Sequence, residues 1–204
     1  MDRVSLNVQL HGMNTMSLTF ANKVTIGRIL IVPFFIAMVM YITPQHDYFR
    51  WLALVLFLIA VISDVIDGYI ARTRGQKTKA GAILDPLADK ILLISAFICL
   101  YIKRGVFPDI HFPLWFVVAI ISRDIILLLG SMIIQLTTGK LDIEANRSGK
   151  FTAFLQIVCV LGVLLQLKFT FVFWYVALVA TFVSGVIYIK EGIKTLNEST
   201  ISSH

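Results

Sequence analysis

The sequence predicts an all-α, polytopic membrane protein with six transmembrane helices and a short N-terminal interfacial segment. Three observations predict it. Apolar residues fill 58% of the 204 positions, and the mean hydropathy is +0.85. Charged residues make up only 15%, against about 25% in soluble domains. The apolar residues also gather into six windows, 24–42, 51–69, 84–102, 113–136, 151–167 and 169–189. These approach the roughly 20 residues that a helix needs to cross a bilayer.

Taken in order, residues 1–20 are mixed in character and lack the charged start, apolar centre and cleavage site of a signal peptide. They are expected to lie on the membrane surface as an interfacial helix or to be flexible. The first span carries Arg28 near its start. The second runs WLALVLFLIAVI straight into the acidic stretch SDVIDGYIAR. A polar link, TRGQKTKA, then leads to GAILDPLADK, which opens the third span. Pro86 suits a first helical turn, where its missing N–H costs nothing. The fourth span starts at Pro113 and contains Arg123 and Asp124. Between the fifth and sixth spans only Lys168 interrupts the apolar run, so a tight turn is expected there. The expected organisation is a segment 1–20, one six-helix domain 21–190 and a tail 191–204. Cys99 and Cys159 read as small packing residues, with no disulfide or metal spacing.

Orientation follows from the cations. With the N-terminus cytoplasmic, the cytoplasmic side holds Arg3, Lys23, Arg28, Arg72, Arg74, Lys77, Lys79, Lys140, Arg147, Lys150, Lys190 and Lys194. The far side holds only Arg50, Lys103, Arg104 and Lys168. Both termini are therefore placed in the cytoplasm, and most of the +6 net charge sits on that face. Such a face suits anionic headgroups and phosphorylated substrates. Nucleic acid is not expected as a partner, because no soluble domain is present to hold it.

The acids carry the chemistry. Asp64 and Asp67 are three apart and Asp85 and Asp89 four apart, so each pair shares a helix face. The second and third spans are expected to run antiparallel, which brings the four carboxylates to one depth near the cytoplasmic interface. Like charges so placed raise one another's pKa, and burial raises it further. Ionisable groups inside a membrane normally mark function. Either the acids share protons in a relay, or they hold divalent cations such as Mg²⁺, Mn²⁺ or Ca²⁺, which hard oxygen donors suit. The surroundings favour metal. Gly68 and Gly81 let a bulky ligand approach the backbone, and Arg72, Arg74, Lys77 and Lys79 supply anion contacts. Metal, glycine and cations together describe a phosphate or pyrophosphate site.

The pattern Asp64-x-x-Asp67-Gly68-x-x-Ala71-Arg72, then eight residues, then Gly81-x-x-x-Asp85-x-x-x-Asp89 resembles the full signature of the CDP-alcohol phosphotransferases, the class I CDP-alcohol phosphatidyltransferases. Asn22, Thr25, Arg28 and Pro33, with Pro86 and Lys90 in LDPLADK, resemble the bacterial phosphatidylglycerophosphate synthase branch. The resemblance implies transfer of a phosphatidyl group from CDP-diacylglycerol to an alcohol, with release of CMP. It implies two divalent ions, Mg²⁺ or Mn²⁺, held by Asp64, Asp67, Asp85 and Asp89, with Asp89 also the general base. Asp64, Asp67, Gly68, Ala71, Arg72 and Gly81 would border CDP-diacylglycerol. It further implies a homodimer, an inner-membrane location and an active site on the cytoplasmic side.

For the acceptor, the candidate contacts are Arg123, Arg147 and Lys150. Adjacent residues point about 100° apart on a helix, so Arg123 and Asp124 are expected to face different partners. Synthases that use glycerophosphate resemble this chain in Gly149, Lys150 and Gln156. The chain departs from them in having Asp124 for Glu, Ser131 for Arg and Thr152 for Lys. Glycerol 3-phosphate is the first reading. Phosphatidylglycerol, as in the cardiolipin synthases, is the second, and inositol phosphate or serine follow. The non-enzymatic rivals are an ion or proton transporter, which needs polar groups beyond the cytoplasmic third of the spans, and a scaffold without catalysis.

Overall fold

The computed structural model describes residues 20–74, 79–107, 110–138 and 147–201. Six helices account for most of them: α1 (Phe20–Met40), α2 (Tyr48–Arg74), α3 (Lys79–Ile102), α4 (Leu114–Thr138), α5 (Arg147–Leu164) and α6 (Thr170–Ile201). A single 3₁₀ turn, Lys103–Gly105, follows α3. Helix dominates the described residues, and no strand is found among them. Helices are what an apolar environment demands, since each backbone polar group must find its partner within the segment. Two helices, over Tyr48–Ile66 and Thr170–Tyr188, are long and apolar enough to span a membrane, and Ile26–Met40 and Gly149–Leu164 are shorter apolar stretches.

The packing reads directly from residue spacing. Val32, Phe35 and Val39 turn one face of α1 inward, and Ala53, Phe57 and Ala60 do so on α2. Phe35 meets Phe57 with ring centroids 5.7 Å apart. On α3 the buried face is Leu92, Leu93, Ala96, Phe97 and Leu100. Small residues at such contacts let helix backbones approach closely. α1 packs against both α2 and α3, α6 packs against α4 and α5, and α3 contacts α4 and α5 to join the halves. Outward faces are apolar too: Leu30, Phe34, Val118 and Phe182 are each more than half exposed. Helical surface of that kind calls for lipid rather than water.

The end of the bundle away from the acidic stretches is closed by aromatics and one arginine. Phe97, Phe112, Phe116 and Trp174 form a cluster, with Phe97 and Phe112 centroids 4.9 Å apart. The Pro113 carbonyl accepts the N–H groups of Phe116 and Val117 to start α4. Arg50 donates to both oxygens of Asp47, each bond 2.7 Å, and to the carbonyl of Leu164 at 2.7 Å. It therefore ties the α1–α2 loop to the last turn of α5.

The tight turn expected near Lys168 is present at Leu165–Phe169. Its geometry is a Schellman cap: Leu167 N–H donates to Gly162 O, and Gln166 N–H to Val163 O. Gln166 holds the left-handed position at φ 55°. Gly162 is required by the return of the chain, because a Cβ there would lie 2.5 Å from Thr170 Oγ1.

Several boundaries differ from the sequence expectation. α2 continues to Arg74 and α3 begins at Lys79, so helix consumes most of the polar link and only residues 75–78 remain between them, outside the described set. Pro86 consequently stands in the interior of α3 and not in its first turn. Polar residues at the water interface do not break a helix, which is why a link defined by hydropathy overestimates the loop. α6 runs on to Ile201, so residues 191–201 of the expected tail are helical. The N-terminal segment expected to be interfacial lies outside the described residues up to position 19.

Candidate active site

The first acidic pair is carried on α2. Asp64 sits about 21 Å along that helix from Arg50, at 1.5 Å per residue, and its carboxylate is 42% exposed. Arg28, on α1 and 2% exposed, forms an ion pair with Asp64 Oδ1 at 2.7 Å. A buried arginine on one helix thus holds the first acid of the next. Asp67, Gly68, Ala71 and Arg72 follow on α2, and Gly81, Asp85 and Asp89 lie on α3. The side chains of these seven lie outside the described residues, as does that of Arg147, the first residue of α5. The expected meeting of four carboxylates therefore falls largely beyond what is described. Lys150, in the first turn of α5, is exposed.

Arg123 is placed in detail. Its side chain is 10% exposed, and it pairs with Asp124 Oδ1 at 2.8 Å. Asp124, 1% exposed, also accepts from Lys90 Nζ at 2.9 Å and from Gln156 Nε2 at 3.2 Å, both on Oδ2. The other terminal nitrogen of Arg123 donates to Ser184 Oγ. One carboxylate thus gathers α3, α4, α5 and, through Arg123, α6. The expectation that Arg123 and Asp124 would face different partners is corrected here. A long guanidinium stem folds back across the 100° between neighbours, and two opposite charges buried side by side offset each other by pairing. Thr152 is fully buried and donates to the Ala180 carbonyl at 3.4 Å. The position that carries a second lysine in the synthases resembled above thus packs against α6.

Ser184 was not singled out from sequence, and no signal distinguishes it from any other serine in an apolar helix. Asp124 and Gln156 did carry a signal, because a polar side chain deep in an apolar helix needs a partner on a neighbouring helix. Among the described residues no group of three or more His, Cys, Asp or Glu gathers to form a metal site. The donor chemistry of the α2 and α3 acids nevertheless fits a hard divalent cation. Asp64 supports that fit, since Arg28 takes one carboxylate oxygen of a group that stays partly open.

Residues 18–183 match the CDP-alcohol phosphatidyltransferase family. The chain is 35% identical over 202 residues to a protein of Bacillus subtilis (strain 168) named CDP-diacylglycerol--glycerol-3-phosphate 3-phosphatidyltransferase, covering 86% of this chain and 97% of the relative. It is 31% identical to a protein of the same name from Aquifex aeolicus (strain VF5), covering 86% and 96%. It is also 31% identical to a probable phosphatidylglycerophosphate synthase of Mycobacterium tuberculosis (strain ATCC 25618 / H37Rv), covering 86% and 82%.

Proposed function

The chain belongs to the CDP-alcohol phosphatidyltransferase family, and from that premise we propose that it transfers the phosphatidyl group of CDP-diacylglycerol to sn-glycerol 3-phosphate, giving phosphatidylglycerophosphate and CMP in phospholipid biosynthesis. The observation that carries the reading is the match of most of the chain to relatives named for this reaction, with the full acidic signature at residues 64–89 inside the matched span.

In this reading the chain crosses the inner membrane six times, with the site on the cytoplasmic side, and works as a homodimer. Asp64, Asp67, Asp85 and Asp89 would hold two divalent ions, Mg²⁺ or Mn²⁺. When bound, such ions neutralise charge on a diphosphate and its leaving phosphate. Gly68, Ala71 and Gly81 leave room for the cytidine nucleotide, and Arg72 pairs with phosphate. Asp89 takes the proton of the acceptor hydroxyl. The hydroxyl oxygen then bonds to the phosphorus of the phosphatidyl group, the bond from that phosphorus to CMP breaks, and CMP leaves as the anion. Arg28 fixes the Asp64 carboxylate for its role. Arg123, with Arg147 and Lys150, receives the phosphate of the acceptor.

One observation favours phosphatidylglycerol as a second acceptor. Thr152, packed against α6, supplies no cation where the synthases resembled above carry lysine. Purified protein incubated with labelled CDP-diacylglycerol, Mg²⁺ or Mn²⁺ and each acceptor in turn decides the matter. Phosphatidylglycerophosphate as the major product is expected. Product only with phosphatidylglycerol would transfer the reading to cardiolipin synthesis, and no CMP release with any acceptor would end the enzyme reading.

A further inference from the structure

The polar network around Asp124 is unlike a structural ion pair in three respects. Among the described residues it is charge-unbalanced: Lys90 and Arg123 are formally two cations set against one buried carboxylate. It engages both oxygens of the carboxylate, since Oδ1 takes Arg123 and Oδ2 takes Lys90 and Gln156. And it is incomplete around its donors and acceptors, because Arg123 Nε and Gln156 Oε1 are buried with no hydrogen-bond partner among the described residues. Leaving buried polar atoms unpaired costs about 1–3 kcal/mol each, so a fold with no further use for them would pair or remove them. A surplus positive charge with one open donor and one open acceptor matches an alcohol phosphate, which brings an anionic oxygen and a hydroxyl.

We infer that Asp124 is a positioning residue for the acceptor: it holds Arg123 by one terminal nitrogen while Ser184 holds the other, and through Lys90 it ties the segment of α3 that bears Asp89 to α4. The inference rests on the reading of Arg123 as an acceptor contact. Asp124 is 1% exposed and both of its oxygens already accept donors from the protein, so it acts through Arg123 and Lys90. Its work is to fix one guanidinium and one lysine whose charges would otherwise repel each other and drift. The anion-binding end and the proton-accepting end of the site are thereby set by one carboxylate at the junction of α3, α4 and α5.

The test uses the full-length protein in detergent or bilayer discs, with Asp124→Asn, Asp124→Glu and Ser184→Ala. For each, the acceptor KM, kcat and the Kd of CDP-diacylglycerol without acceptor are measured. Asp124→Asn should raise the acceptor KM at least about tenfold and leave the Kd of CDP-diacylglycerol within about twofold. Asp124→Glu, which restores the charge one methylene further out, should recover part of the loss. Ser184→Ala should raise the acceptor KM about threefold in the same direction, because it frees one end of Arg123 without changing charge. A parallel rise in both constants, or an unchanged acceptor KM, overturns the inference. If Asp124→Asn does not fold, Ser184→Ala decides alone, and an unchanged acceptor KM overturns it. If the unmodified protein ignores glycerol 3-phosphate, the proposed reaction fails, and the same KM comparison with the acceptor that it does use decides the positioning role.

Discussion

Arg50 and Arg123 look alike on paper: each side chain is 10% exposed, and each is paired to an aspartate. Their networks differ in kind. Arg50 pairs with Asp47, whose side chain is 50% exposed, and spends a further N–H on the Leu164 carbonyl. One cation meets one anion at the rim, and the carbonyl is one of those that a helix C-terminus leaves without an intrahelical partner. Arg123 pairs with an aspartate that is 1% exposed and already shared with a lysine, and its Nε has no partner among the described residues. The closed network fastens the α1–α2 loop to the end of α5. The open one holds two cations against one carboxylate among the described residues. Two buried arginines are thus told apart by whether their charges and hydrogen bonds balance, not by burial.

If that difference separates fold from chemistry, substitutions at the two ends must fail in different ways. The largest effect belongs to the acidic end. Asp89→Asn should lower kcat by about 10²–10⁴, the range for loss of a general base, while CDP-diacylglycerol binding and thermal stability stay near those of the unmodified protein. Near-normal turnover by the purified variant would remove Asp89 from the mechanism. At the rim the pattern should reverse. Arg50→Ala leaves the Leu164 carbonyl without its donor, a loss of about 1–3 kcal/mol, so the melting temperature in detergent should fall by several degrees. Turnover per folded molecule should hold. A specific activity that collapsed with an unchanged melting curve would erase the distinction.

Much of this contrast was legible in the sequence, and the rest was hidden for physical reasons. The six helices follow from apolar windows, and Gly68, Gly81 and the four aspartates stand out by spacing alone. Arg28 and Lys90 were visible only through resemblance, because a single cation near a span's end reads equally well as interfacial charge. The pairing of Arg123 with Asp124 was hidden because helix geometry fixes where Cβ points, not where a guanidinium four bonds further out arrives. Lys168 marked the α5–α6 turn correctly, yet the residue in the left-handed conformation is Gln166, a residue type with no preference for it.

The pH response sharpens the comparison next. Hydrogen bonds from Arg50 hold the Asp47 carboxyl below its ordinary value of 3.8, outweighing the opposing effect of partial burial. A depressed carboxylate contributes stability above its unfolded pKa and loses it as pH falls through the folded value. The rim clamp should therefore be fully made at neutral pH and weaken only below about pH 4. Asp47→Asn should melt lower than the unmodified protein at pH 7, and the gap should narrow in acid. A gap that widened in acid would mean that Asp47 is not the partner that matters to Arg50.

The smallest expected effect tests whether the closed end is as well made as it could be. Gln166 adopts φ 55°, a left-handed conformation that costs an L-residue roughly 1–2 kcal/mol and glycine little. Its side chain is exposed, so truncation sacrifices no buried contact. Against the gain stands the greater freedom of glycine in the unfolded chain, about 0.4–1 kcal/mol. Gln166→Gly should therefore raise the melting temperature by about a degree or two and leave both substrate constants untouched, since the turn lies at the end of α5 away from the acids. A lower melting temperature would mean that the Gln166 side chain earns its strain through a contact at the membrane surface, and the rim would then be fastened by more than Arg50 and the cap.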